Sequence, residues 1–132
     1  HFYFRNNFNA DSGVISMCVV LSILAKTGKH MSQLVHPLAR YPQSGEINFQ
    51  IEEKDAAIAA LRKEYGAAAK GATIDDLDGI TIDAFAKHGW WCNVRKSNTE
   101  PLLRLNLEAK DKKTLEHMLT KISPMLGHRV AH

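Results

Sequence analysis

Trp90-Trp91-Cys92-Asn93-Val94-Arg95-Lys96-Ser97-Asn98-Thr99-Glu100-Pro101-Leu102-Leu103-Arg104-Leu105-Asn106-Leu107 is the stretch on which the fold turns. Its first part alternates Trp90, Cys92 and Val94 with Trp91, Asn93 and Arg95. Its last part alternates Leu103, Leu105 and Leu107 with polar residues. Strict alternation marks half-buried strands, and a short polar bend between two of them marks an antiparallel hairpin. Setting Val94 opposite Leu103 puts Cys92 opposite Leu105 and Trp90 opposite Leu107, all on the buried face. Arg95 then faces Leu102, and Asn93 faces Arg104. A one-residue slip would mix the faces.

Working outward, Glu46 to Glu52 alternates Ile47, Phe49 and Ile51 with Asn48 and Gln50, another half-buried strand. Lys54 to Tyr65 reads as a helix with Ile58, Leu61 and Tyr65 on one side, stopped by Gly66. Gly66 to Ala72 reads as a loop, and Gly79 to Ala84 as a strand with Ile80 and Ile82 inward. Asp111 caps a last helix carrying Leu115, Met118, Leu119 and Ile122, which Pro124 ends or kinks. The order β-α-β-β-β-α predicts an α+β domain, a four-stranded antiparallel sheet with two helices on one face.

The first forty residues are different. Asp11-Ser12 caps a helix running to about Thr27, with Gly28 as its stop. It is apolar nearly all round, as helices inside larger layered domains are, and Cys18 reads as a small buried hydrophobe. No sheet precedes it, and the chain opens on His1 rather than Met. Residues 1–40 therefore read as the remnant of a truncated α/β domain, with a second short helix from Met31 to Ala39. The turn-rich Tyr41 to Gly45 is the boundary to a second domain, 41–132.

Composition narrows the function classes. Seventeen basic residues are interleaved with fourteen acidic ones, for a net charge of +3. Without a basic stripe, nucleic acid is not an expected partner. Cys18 and Cys92 form no CxxC pair, which fits a reducing cytoplasm rather than a disulfide scaffold. His128 and His132 have the spacing of one helix face, but no third ligand stands near, so no metal site is expected. The uncharged run from Ser12 to Ala25 is too short to cross a bilayer, which takes about 20 apolar residues. Lys110, Lys112 and Lys113 read as a solvated face, His88 as a turn residue, and Trp90 as a packing residue. Glu46, Glu52 and Glu53 find no cleft to serve as acid or base.

The bend Lys96 to Pro101 carries the chemistry. It offers two hydroxyls, an amide and backbone N–H groups turned outward, the makings of an anion nest. Arg95 adds a planar fork matched to phosphate oxygens. No activated nucleophile accompanies Ser97, so the loop can bind but not react. Composition alone also fits a polar turn that binds nothing, since Ser, Asn, Thr and Pro are ordinary turn residues.

Val94 to Arg104 resembles the R-x-S-N-T-E-P-x-x-R signature of phosphomannomutase/phosphoglucomutase, in the α-D-phosphohexomutase superfamily. His1-Phe2-Tyr3-Phe4-Arg5 with Asp11-Ser12-Gly13 resembles the segment after that family's sugar-recognition loop, G-E-x-S-G-H. Pro42 to Phe49 resembles the start of its fourth domain. The resemblance implies a TATA-binding-protein-like C-terminal domain. It also implies an isomerase that moves phosphate between the 1- and 6-hydroxyls of mannose or glucose through a bisphosphorylated intermediate. Arg95, Ser97, Asn98 and Thr99 would hold the substrate phosphate, and His1 would lie near the sugar. The family's phosphoserine loop (T-x-S-H-N-P) and metal loop (D-G-D-x-D-R) are absent here, so Mg²⁺ and the catalytic groups would belong to the protein's other domains. The phosphoglucosamine mutase branch carries S-G-T where this chain has Ser97-Asn98-Thr99, which argues against that alternative. A non-catalytic phosphosugar-binding module is the other.

Overall fold

The computed structural model describes residues 1–66 and 71–130, in two compact units, His1–Arg40 and Tyr41–His132. In the first unit, strands β1 (Tyr3–Phe4) and β2 (Ala10–Asp11) pair antiparallel around a tight turn in which Phe8 and Asn9 take positive φ. Helix α1 (Gly13–Thr27) follows. The Ser12 hydroxyl accepts the Ile15 N–H at 3.2 Å, and Gly28 closes the helix in the left-handed conformation. Both ends thus follow from residues that satisfy orphan backbone groups. None of its residues is buried, and Val14, Met17 and Leu21 are more than half exposed. Cys18 is exposed too, contrary to the expectation of a buried thiol. Residue type alone points to burial, but a helix apolar all round does not reveal which side is covered. A short helix, α2 (Met31–Val35), gives way to turns before Pro37.

The second unit is built on one antiparallel sheet. Its strands are β3 (Gln43–Gln50), β4 (Thr73–Asp75), β5 (Ile80–Asp83), β6 (Trp90–Lys96), β7 (Leu102–Ala109) and β8 (His128–Val130), in the order β4-β5-β6-β7-β3-β8. The four expected strands occupy its centre, and two short strands extend its edges, so the sheet has six strands rather than four. β8 contains His128, so this residue does not share a helix face with His132, which lies outside the described residues. Most of the loop expected from Gly66 to Ala72 also lies outside them. A one-turn helix, α4 (Phe85–His88), joins β5 to β6, so His88 ends a helical turn.

Helices α3 (Lys54–Tyr65) and α5 (Lys112–Leu126) pack on one sheet face. α3 turns Ala57 and Leu61 inward; α5 turns Leu115, Met118, Ile122 and Leu126 inward, a spacing that keeps one face on the sheet. Asp111 caps α5 by accepting the Thr114 N–H at 2.7 Å. Pro124 lies inside the helix, which runs on to Leu126 rather than stopping. The core joins these faces to Ile47, Phe49, Ile80, Ile82, Cys92, Val94, Leu103, Leu105 and Leu107. Trp90 is buried, its ring edge-on to Tyr65 with centroids 5.4 Å apart.

The hairpin register differs from the expected one by two residues. Val94 pairs with Leu105, Cys92 with Leu107 and Trp90 with Ala109. A two-residue shift keeps every side chain on its expected face, which is why alternation could not distinguish the two registers. The shift matters on the other face, where Arg95 now stands directly opposite Arg104.

Candidate functional site

The loop between β6 and β7 is narrower than the sequence suggests. Ser97 N–H donates to Leu102 O at 2.9 Å, closing the hairpin and leaving Asn98 to Pro101 as its tip. Leu102 N–H donates to Glu100 O at 2.8 Å, which tightens the return. Among the described residues, no acceptor reaches the N–H groups of Asn98, Thr99 or Glu100. Asn98 and Thr99 are exposed. Three neighbouring open donors on a bend are what an anion needs.

The base of the loop is tied to the start of α3. Lys54 Nζ donates to Glu100 O at 3.2 Å, Lys96 pairs with Asp55, and Ile51 N–H reaches Pro101 O at 3.5 Å. On the other side, Gly79 adopts φ +73°, and a Cβ there would fall 2.2 Å from Val94 O. Only glycine lets the turn before β5 press this closely on the strand that carries Arg95.

Arg95 and Arg104 face each other on the sheet surface away from the helices. Like charges directly opposite on paired strands repel, with Cβ atoms roughly 5 Å apart. Glu46 on β3 lies between them, its carboxylate 3.4 Å from Arg95 and 3.8 Å from Arg104. Asp78 stands 3.8 Å from Arg95, and Glu100 stands 4.0 Å from Arg104. Most of these distances are too long for hydrogen bonds. The carboxylates balance the two guanidinium groups without saturating their donors. Arg104 Nε is buried and has no hydrogen-bond partner among the described residues. Ser97 is also buried, 7% exposed, and among the described residues its Oγ has no hydrogen-bond partner. A buried, unsatisfied hydroxyl costs about 1–3 kcal/mol, so each one calls for an explanation.

Arg95, Ser97, Asn98 and Thr99 are therefore contiguous at one end of the sheet, with the second guanidinium of Arg104 beside them. His1 belongs to the first unit, where its ring meets the Asp11 carboxylate, which also accepts the Phe2 N–H at 2.8 Å. The sequence reading missed the part played by Glu46. In the sequence it is a carboxylate without a cleft, yet in the fold it bridges the two arginines. Its place on the polar face of β3 was legible, but the pairing of β3 with β7 was not. Among the described residues, no three His, Cys, Asp or Glu side chains gather as metal ligands would. No described helix is long and apolar enough to cross a membrane.

Comparison with known proteins places this arrangement. Residues 46–124 match the family model described as phosphoglucomutase/phosphomannomutase, C-terminal domain. A phosphomannomutase of Methanocaldococcus jannaschii is 35% identical over 127 residues, covering 96% of this chain and 27% of the relative. A protein named phosphohexose mutases in Xanthomonas campestris pv. campestris is 39% identical over 128 residues, covering 96% of this chain and 28% of the relative. This chain thus spans about a quarter of the length of the curated relatives it matches. A crystal structure of a phosphoglucomutase/phosphomannomutase family protein from Burkholderia thailandensis shares the fold. The TM-score is 0.67 at 23% identity, covering 96% of this chain and 26% of that one. An antiparallel sheet of this order, a polar hairpin beside two arginines and a family match across most of the second unit agree, and the chain belongs to the phosphoglucomutase/phosphomannomutase family through its C-terminal domain.

Proposed function

We propose that the hairpin tip and Arg95 clamp the phosphate of a hexose phosphate for a mutase acting on mannose or glucose phosphates. In this reading, the whole protein exchanges phosphate between the 1- and 6-positions through a bisphosphorylated sugar, in the cytoplasm. The observation that carries it is the Ser97 hydroxyl, buried and without a partner beside Arg95 and three open backbone N–H groups. A phosphate oxygen would complete that hydroxyl. Arg95 supplies a bidentate fork, and Asn98 and Thr99 supply further donors at the exposed tip. Arg104 sets a second guanidinium beside Arg95, and Glu46 bridges the two.

The chain binds and orients in this account; the phosphoryl chemistry belongs to other domains. Mg²⁺ is assigned there too, with the metal loop that the resemblance places outside this chain, and no step here passes through a metal. Residues 1–40 are assigned to the preceding α/β sugar-binding domain, with His1 toward the sugar, and residues 41–132 to the phosphate-binding domain.

Titrating the isotopically labelled chain with glucose 1-phosphate tests the reading by NMR. The amides of Ser97 to Glu100 and the Arg95 side chain should shift together and saturate. Shifts confined to other regions would remove the loop assignment.

A further inference from the structure

The helix-bearing side of the second unit has a second concentration of positive charge, which the hairpin does not use. Lys113, His117 and Lys121 recur at four-residue intervals along α5 and so share one face. Lys110 and His88 come to the same place from the ends of β7 and α4. These five cationic or titratable side chains line a groove of about 710 Å³ with Trp90 and Met118. Among the described residues, Asp111 is the one carboxylate in its wall, and it already accepts the Thr114 N–H at 2.7 Å. Among the described residues, Lys110, Lys113 and Lys121 form no ion pair. Lys110 is also held in position: its alkyl chain crosses Gly89, 2.4 Å from where a Cβ would lie.

The groove opens into a second, apolar space. This slot, about 280 Å³, is lined by Tyr65, Ala72, Ala84, Trp90 and Met118 with Lys87 at its wall, and it shares His88, Trp90, Met118 and Lys121 with the groove. The two form one continuous recess, apolar at one end and cationic at the other. An inorganic anion would leave the aromatic end empty, and a neutral ring would leave the lysines uncompensated. A ligand with a planar ring joined to phosphates satisfies both ends.

We propose that this recess is a second anion site, distinct from the hairpin loop. It would take a nucleoside phosphate, with its base in the slot beside the packed pair Tyr65 and Trp90 and its phosphates among Lys110, Lys113, His117 and Lys121. Calorimetry and NMR on this chain test it with ADP, pyrophosphate and adenosine as separate probes. ADP should bind most tightly and shift the Trp90 indole N–H together with the His117 amide. Pyrophosphate should move the groove residues alone. The double variant K113Q/K121Q should weaken ADP binding about tenfold, from two exposed charge contacts. It should melt as the parent does and keep the glucose 1-phosphate shifts at Ser97 to Glu100. On the unsubstituted chain, raising salt from 0.1 to 1 M shortens the screening length from about 10 to about 3 Å and should also weaken binding. The proposal is overturned if ADP leaves Trp90 and His117 unmoved, or if its affinity ignores both the substitutions and the salt. Equal affinities for ADP and pyrophosphate would remove the ring half of it.

Discussion

Ser97→Ala should move stability and phosphate affinity in opposite directions. The Ser97 hydroxyl is buried with no hydrogen-bond partner, and its backbone N–H already closes the hairpin. Removing a buried, unsatisfied hydroxyl relieves a desolvation cost of about 1–3 kcal/mol. Alanine also keeps the backbone bond. The variant should therefore be as stable as the parent, or more stable by about 1 kcal/mol. Binding should behave otherwise. A hydrogen bond from this hydroxyl to a phosphate oxygen is charge-assisted and worth about 1.5–3 kcal/mol. Its loss corresponds to roughly a 10- to 150-fold weaker affinity. Urea unfolding followed by circular dichroism gives the first quantity, and calorimetry with glucose 1-phosphate gives the second. A variant that loses more than about 1 kcal/mol of stability while binding phosphate unchanged would refute the reasoning. Ser97 would then be a structural turn residue.

Three further outcomes follow from the packing. Leu105 is fully buried at the centre of the sheet, so Leu105→Ala should cost about 2–5 kcal/mol in denaturant unfolding. Gly79→Ala should destabilise by at least about 1 kcal/mol, because its Cβ would meet Val94 O at 2.2 Å in a positive-φ backbone; thermal melting measures it. Burial pushes the Cys92 thiol up to about 12. The unfolded chain ionises near its ordinary value of 9.0 while the folded chain does not, so stability should hold below that value and fall as pH rises from there toward 12.

The central strands could be read from the sequence because Trp90, Cys92 and Val94, and Leu103, Leu105 and Leu107, alternate over long enough runs. The ends of α1 could be read because Ser12 and Gly28 have capping chemistry. The edge strands β4 and β8 could not: each has three residues and offers only Ile74 or Val130 as an apolar signal. Alternation needs about four to eight residues to speak. Pro124 allows either a stop or a kink by its chemistry, and the helix does not stop there but runs on to Leu126. The site was legible as a loop with Arg95 beside it. Its electrostatics were not, because the Arg95–Arg104 apposition and the placing of Glu46 depend on register, and parity cannot fix register.

The most direct test of the clamp is the kinetics of Arg95→Ala in a full-length mutase carrying this domain, with glucose 1-phosphate as substrate. Loss of a bidentate fork to phosphate should raise KM and lower turnover, with kcat/KM falling at least about tenfold. Wild-type KM and turnover in a correctly folded Arg95→Ala protein would contradict the account.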